Sequence, residues 1–90
     1  MHDLFTAVAE PGRRRLLDLL LRASATVGPL ADASGLSESN TSRHLRVLRD
    51  AGLVEVRPDG QRRLYALRPE GFEELARWVT PYAVLWQQSL

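Results

Sequence analysis

The 90-residue chain contains neither cysteine nor lysine. The lack of cysteine excludes disulfides, thiolate metal sites and thiol-based redox sensing. The lack of lysine leaves twelve arginines, whose planar guanidinium suits guanine and phosphate, although a GC-rich coding bias would produce the same composition. No apolar run approaches the roughly 18 residues of a membrane span, and the first residues lack the basic region and apolar core of a signal peptide. We therefore expect a cytoplasmic protein with no membrane contact.

Length and charge indicate the number of domains and the kind of partner. Ninety residues predict one domain, residues 1–90, and a composition of 44% hydrophobic and 26% charged residues is that of a globular chain. A chain this short buries only roughly 60–65% of its unfolded surface, so dimerisation would add stability. The net charge is +1, yet six arginines lie between Arg43 and Arg63 against three acidic residues. This local excess favours a nucleic acid as the partner.

Residues 37–50 predict an amphipathic helix with one face suited to DNA. Ser37 is a good N-cap, and Thr41, Leu45 and Leu48 recur at i, i+4 and i+7, which predicts a buried stripe. The other face carries short polar residues followed by arginines: Ser39, Asn40, Ser42, Arg43, Arg46 and Arg49. Short side chains let a helix approach base edges, and arginines reach guanine or phosphate. The alternative, less favoured even for the segment taken alone, is a surface helix whose polar face is solvated.

A β-hairpin with basic residues near its tip is predicted next. Residues 53–57 alternate apolar and polar, Pro58-Asp59-Gly60 predicts a turn, and residues 64–67 predict a second strand. A helix followed directly by such a hairpin is typical of a winged helix. Arg62 and Arg63 would then meet phosphates or a minor groove. The alternative is that these two arginines protect an exposed sheet edge.

Helix signals also precede the recognition segment. Asp3, Pro11 and Thr26 stand where helices are expected to begin, and Gly35 stands where one is expected to end. Gly35 to Ser37 is then the turn of a helix-turn-helix. The predicted helices cover residues 4–9, 11–21 and 27–34. The predicted fold is mainly α with a small β-hairpin, a winged helix-turn-helix in the order α-α-α-α-β-β-α.

Pro69 is predicted to open a last helix, which carries more apolar surface than so small a domain can bury. Thr80-Pro81 predicts a kink or a restart within it. We expect this helix to pair with its copy in a second subunit. The alternative is that one tryptophan caps the core of the monomer. The residues predicted to form the dimer interface are Leu4, Trp78, Tyr82, Leu85 and Trp86. The domain thus divides into two first helices, a helix-turn-helix, a wing and a dimerisation helix, over residues 3–25, 26–52, 53–68 and 69–90.

Together with particular residue runs, this order of elements resembles the ArsR/SmtB family of bacterial repressors. The most specific run is Ser-Arg-His-Leu followed by Ala-Gly-Leu-Val, at positions 42–45 and 51–54. The other matching positions are 11–20, 30–31, 36–37, 46–48 and 60–65. The resemblance covers nearly the whole chain and implies a homodimer that binds a palindromic operator and dimerises through its first and last helices.

The sensor sites of that family do not carry over to this sequence. Its thiolate sites need cysteines, and its carboxylate–histidine site needs histidines on the last helix, which has none here. The chain's two histidines, His2 and His44, are far apart in sequence and do not make a metal site. We expect His44 to be a partly buried packing residue. The chain resembles the short, metal-independent autorepressor branch, so we expect no metal and no cofactor, and the inducer stays open.

The sequence therefore predicts a homodimeric transcriptional repressor that binds double-stranded DNA. A winged helix can instead be a protein-interaction module, but such a module would tend to cover its recognition face with apolar residues. An architectural DNA binder would be expected to carry a larger basic excess than +1. No catalytic motif is present, so enzyme activity is not expected. Base reading is assigned to Ser39, Asn40, Ser42 and Arg43, and phosphate contact to Arg46, Arg49, Arg62 and Arg63.

Overall fold

The computed structural model describes residues 3–90, so that His2 lies outside the described residues. Five helices and a hairpin follow one another in the predicted order. They are α1 (Leu4–Ala9), α2 (Pro11–Arg22), α3 (Val27–Ser34), α4 (Glu38–Asp50), β1 (Val54–Asp59), β2 (Arg62–Leu67), a 3-10 turn (Pro69–Phe72) and α5 (Glu73–Gln88). The mainly helical fold with a two-stranded antiparallel hairpin is thus as predicted.

Side chains at the helix starts satisfy N–H groups that have no partner within a helix. The Asp3 carboxylate accepts from the Thr6 N–H at 3.1 Å, and the Ser37 hydroxyl accepts from the Asn40 N–H at 3.1 Å. Thr26 stands at the N-cap of α3 as predicted, but its hydroxyl makes no capping hydrogen bond. Capping side chains close in sequence therefore define where most of the helices begin.

Leucines supply most of the core. Leu16 of α2, Leu45 and Leu48 of α4, and Leu53 before β1 are each at most 1% exposed. Burying one such side chain contributes about 1.5–3 kcal/mol. Leu17 of α2 is half-buried, whereas Leu21 of the same helix is 75% exposed. The recognition helix is therefore held from behind by its own buried stripe and by α2.

The hairpin turn lies two residues later than Pro58-Asp59-Gly60 predicts. Asp59 pairs with Arg62, so both Pro58 and Asp59 belong to β1 and the turn is Gly60-Gln61. Gly60 has a φ of 64° while Gln61 keeps a negative φ, as a two-residue type II′ turn requires. Proline is tolerated in β1 because its missing N–H can face the open edge. The correction lengthens both strands and carries the arginines into β2.

Backbone pairing anchors the hairpin to the helical body. The Ala25 N–H donates to the Tyr65 carbonyl at 3.0 Å, and the Tyr65 N–H donates to the Ala25 carbonyl at 2.8 Å. The loop before α3 thus supplies a bridge alongside β2, where the sequence predicted only a loop. This fixes the wing relative to the helix-turn-helix.

The last helix continues through Pro81, so the predicted restart is wrong. The Thr80 hydroxyl, one residue before the proline, donates to the Ala76 carbonyl at 2.6 Å. The 3-10 turn before α5 crosses close to the end of α4. A Cβ on Gly71 would collide with the carbonyl oxygen of Gly52, so only glycine fits there. None of the helices in the described part of the chain is long and apolar enough to cross a membrane.

Candidate DNA-binding interface

The polar face of α4 is fully presented to solvent. Thr41, Leu45 and Leu48 are at most 1% exposed and hold the helix against the core. The residues on the opposite face are all exposed: Ser39, Asn40, Ser42, Arg43, Arg46 and Arg49. The small polar residues occupy the first turns and the arginines follow, so the helix can enter a groove by its N-terminal end.

The wing brings further arginines next to this face. Arg63 of β2 and Arg46 and Arg49 of α4 line one cleft, together with Ser42 and Tyr65. Arg62 and Arg63 line a second cleft with Ser42 and the start of α3. Ser39 and Arg43 line a third cleft, which shares Ser42 and Arg46 with the first. Seven of the eight residues assigned to DNA contact therefore border adjoining clefts, and Asn40 is exposed beside them on the first turn of α4. The start of α3, including Thr26 and Gly28, also borders the second cleft. No sequence signal marked those residues, because only the Ala25–Tyr65 pairing brings them to the wing.

The arginines of this surface differ from most others in having no side-chain partner among the described residues. No hydrogen bond or ion pair within residues 3–90 involves the side chain of Arg43, Arg46, Arg49, Arg62 or Arg63. Elsewhere, Arg57 pairs with Glu55 at 2.8 Å and Arg77 pairs with Glu73 at 2.7 Å. Positive charge without local compensation attracts a polyanion, so this surface is electrostatically suited to the DNA backbone.

The comparisons with known proteins agree with this geometry. A family model described as "Bacterial regulatory protein, arsR family" matches residues 10–56. The transcriptional repressor SdpR of Bacillus subtilis is 30% identical over 79 residues, which cover 88% of each chain.

The chain belongs to the ArsR family of bacterial regulatory proteins.

Solved structures of ArsR-family proteins share the fold. An ArsR family transcriptional regulator is 31% identical with a TM-score of 0.77, over 93% of this chain and 92% of that one. A homodimeric winged helix-turn-helix DNA-binding domain from Mycobacterium bovis is 30% identical with a TM-score of 0.72, over 96% and 77%. The alignment covers as little as half of some other relatives. The chain is thus a winged helix-turn-helix transcriptional regulator. Its class is non-enzymatic, which confirms the prediction drawn from the sequence.

The second surface of this ArsR-family chain is the apolar face of α5. Trp78, Tyr82, Leu85 and Trp86 are between 55% and 64% exposed, and no residue of α5 is buried. Trp78 lies edge-on to Phe5 of α1 with ring centroids 5.5 Å apart, and it contacts Tyr82 at 5.2 Å. Both tryptophans are therefore more than half exposed, although Trp78 also lies on Phe5, which packs against the core.

Leu4 is placed differently from the other four residues assigned to dimerisation. It is 7% exposed and belongs to the core of the chain itself. It therefore has little surface to offer a second subunit, whereas its neighbour Phe5 contacts Trp78 of α5. The periodicity of so short a helix could not decide between these two neighbours, because either could face the core.

Within residues 3–90, the titratable side chains form no cluster of the kind that binds a metal ion. No group of three or more His, Asp or Glu side chains within the described residues could hold a metal ion.

The backbone N–H groups of Arg13 and Gly12 donate to the Glu10 carboxylate and hold its pKa below the ordinary value of a glutamate. Glu10 is thus the N-cap of α2, a role that its position next to Pro11 in the sequence does not indicate.

Proposed function

We propose that this ArsR-family regulator is a cytoplasmic homodimer that represses its own or a neighbouring operon by binding a palindromic operator. The observation that carries the proposal is the continuous surface of unpaired arginines around an exposed recognition helix. Compensated arginines elsewhere in the chain show that this arrangement is not a general property of its surface.

Each part of the surface has its own proposed role. Ser39, Asn40, Ser42 and Arg43 lie on the first half of α4 and would read base edges in the major groove. Arg46 and Arg49 are further along the helix and would meet phosphates. Arg62 and Arg63 would contact phosphates or enter a narrow minor groove from the wing.

The size of the exposed surface supports a dimer. The accessible surface is 6229 Å², whereas a folded monomer of 10.1 kDa is expected to expose about 5,300 Å². The excess is on the order of the 800 Å² that each partner of a standard interface buries. The apolar face of α5 would supply this interface, and the Mycobacterium bovis neighbour is described as a homodimer. A two-fold dimer would present two recognition helices to half-sites about 10 base pairs apart.

Sedimentation and DNA binding on the same samples test the proposal. At micromolar concentration the protein should sediment at twice the monomer mass, and a gel shift with genomic fragments should select a pseudo-palindrome upstream of the gene or its neighbours. Trp86→Ala should weaken dimerisation and DNA binding together. Val84→Ala is a matched control, because Val84 is also exposed but lies on the opposite side of α5 from Trp86.

Two outcomes would contradict the proposal. A monomer that binds the selected duplex with full affinity would show that α5 does not serve dimerisation. A protein that shifts no genomic fragment would favour the winged-helix protein-interaction module instead.

A further inference from the structure

His44 lies on α4 but points away from the DNA face. It follows buried Thr41 by three residues and precedes buried Leu48 by four, so it shares their side of the helix. Its side chain is only 19% exposed. The adjacent Arg43 is exposed on the other side. His44 is therefore a half-buried polar group at the back of the recognition helix. There it contacts other elements of the domain and cannot reach a base.

Two charged side chains from the junction of α1 and α2 meet its imidazole. Nη1 of Arg13 lies 3.3 Å from Nδ1 of His44, and Oε2 of Glu10 lies 3.6 Å from Nε2. A guanidinium has only donors, so Nδ1 is the acceptor in the Arg13 contact. This fixes the tautomer with its hydrogen on Nε2, facing the Glu10 carboxylate. The histidine is thus oriented from both sides by residues more than 30 positions earlier in the chain.

The same arginine also donates hydrogen bonds to carbonyls of α1. Its Nε donates to the Ala7 carbonyl at 2.7 Å, and its Nη2 donates to the Thr6 carbonyl at 3.2 Å. Carbonyls in the last turn of a helix have no partner within that helix. Arg13 therefore satisfies α1 and contacts α4 with one rigid, planar group, which a flexible point charge could not do.

The sequence makes room for this contact. A Cβ on Gly12 would lie 3.2 Å from Nε2 of His44 and 2.9 Å from Oε2 of Glu10. These distances are too short for undisturbed packing, so an alanine there would push the ring or the carboxylate aside. Gly12 is buried and sits on the first turn of α2. Its lack of a side chain is what allows α2 to approach α4 closely enough for Arg13 and His44 to meet.

We propose that Arg13 and His44 form an interhelical contact, which we call the Arg13–His44 joint, that fixes the recognition helix rigidly against α1. This contact contributes to operator discrimination without touching DNA. Both are positioning residues, and the inference rests on the proposed function. α1 carries Phe5, which contacts Trp78 on the apolar face of α5. A continuous set of contacts therefore runs from the proposed dimer face through α1 and Arg13 to α4. Two helices that must match two half-sites need this fixed relation, whereas loose electrostatic binding does not.

The test uses substitutions that keep or remove the acceptor. His44→Asn places Oδ1 near the position of Nδ1, so it can still accept from Arg13. His44→Leu keeps a similar volume but removes the acceptor. Fluorescence anisotropy would give the affinity of each full-length variant for a duplex selected by the wild-type protein and for its scrambled version, at one salt concentration. Thermal unfolding of each variant would show that it is folded.

The expected result is a loss of discrimination, not of general DNA binding. His44→Leu should bind the selected duplex about tenfold more weakly, the size of a typical coupling between sites, while its affinity for scrambled DNA stays unchanged. His44→Asn should restore most of the difference. Arg13→Lys provides a second route if His44→Leu fails to fold, since lysine keeps the charge but cannot bridge both carbonyls and the imidazole; it should lose discrimination to the same extent.

Three results would overturn the inference. Equal discrimination by folded His44→Leu or Arg13→Lys and wild type would show that the joint does not act on DNA recognition. An equal loss on selected and scrambled duplexes would show a general effect on the binding surface. A wild-type protein with no preference for any duplex would refute the proposed function itself, and the inference would fall with it.

Discussion

The unpaired arginines make a quantitative prediction about salt. Arg46, Arg49, Arg62 and Arg63 are exposed and have no partner within residues 3–90, so each is free to displace a counterion from a phosphate. A dimer would present eight of them, which predicts a slope of about −7 for log affinity against log salt concentration. Affinity should then fall by about four orders of magnitude between 50 and 200 mM salt.

Arg63→Ala removes one contact from each subunit and should flatten that slope by about 1.8. The matched control is Arg57→Ala, which removes an arginine from the same hairpin whose charge is already compensated by Glu55 at 2.8 Å. It should leave the slope almost unchanged. Anisotropy on selected and scrambled duplexes at four or more salt concentrations measures both slopes. Arg63→Ala should weaken the two duplexes equally, whereas Arg43→Ala should cost about 1–3 kcal/mol on the selected duplex alone.

The reasoning would be refuted if Arg57→Ala flattened the slope as much as Arg63→Ala. The local pairing of an arginine would then say nothing about its role. A base-specific effect of Arg63→Ala combined with a sequence-independent effect of Arg43→Ala would reverse the roles assigned to the wing and the recognition helix.

Three further predictions follow from the packing, the titration and the site chemistry. Gly71→Ala should destabilise the fold by about 3 kcal/mol or more, because its Cβ meets the backbone of Gly52, while Gly28→Ala, which faces open space in α3, should be neutral or stabilising; urea unfolding compares them. Glu10→Gln should lower the free energy of unfolding by about 0.3–1 kcal/mol at pH 7. Since the Glu10 pKa is lowered on folding, that difference should shrink as pH falls below about 4, and a constant difference in urea titrations across pH would contradict it. Stoichiometric zinc, cadmium, copper or arsenite should leave DNA affinity unchanged, and a submicromolar site in isothermal titration that is lost on substitution of an Asp, Glu or His would disprove this.

Local sequence determined the recognition helix and the order of the elements. The Ser37 cap and the spacing of Thr41, Leu45 and Leu48 act within one or two turns, so a pattern of neighbouring residues is sufficient to predict the face that remains for DNA. The exposure of Trp78 and Trp86 was also predictable, because the last helix carries more large apolar residues than a short chain can cover.

Tertiary structure decided everything that depends on residues distant in the chain. Strand pairing and the Ala25–Tyr65 bridge set the register of the hairpin and overrode the local turn preference of Pro58-Asp59-Gly60. Leu4 entered the core of its own chain although its helix is too short for periodicity to orient it. The Arg13–His44 contact and the fit of Gly71 against the end of α4 join segments about 20 to 30 residues apart. A linear pattern cannot encode such contacts, because they exist only once the helices have packed.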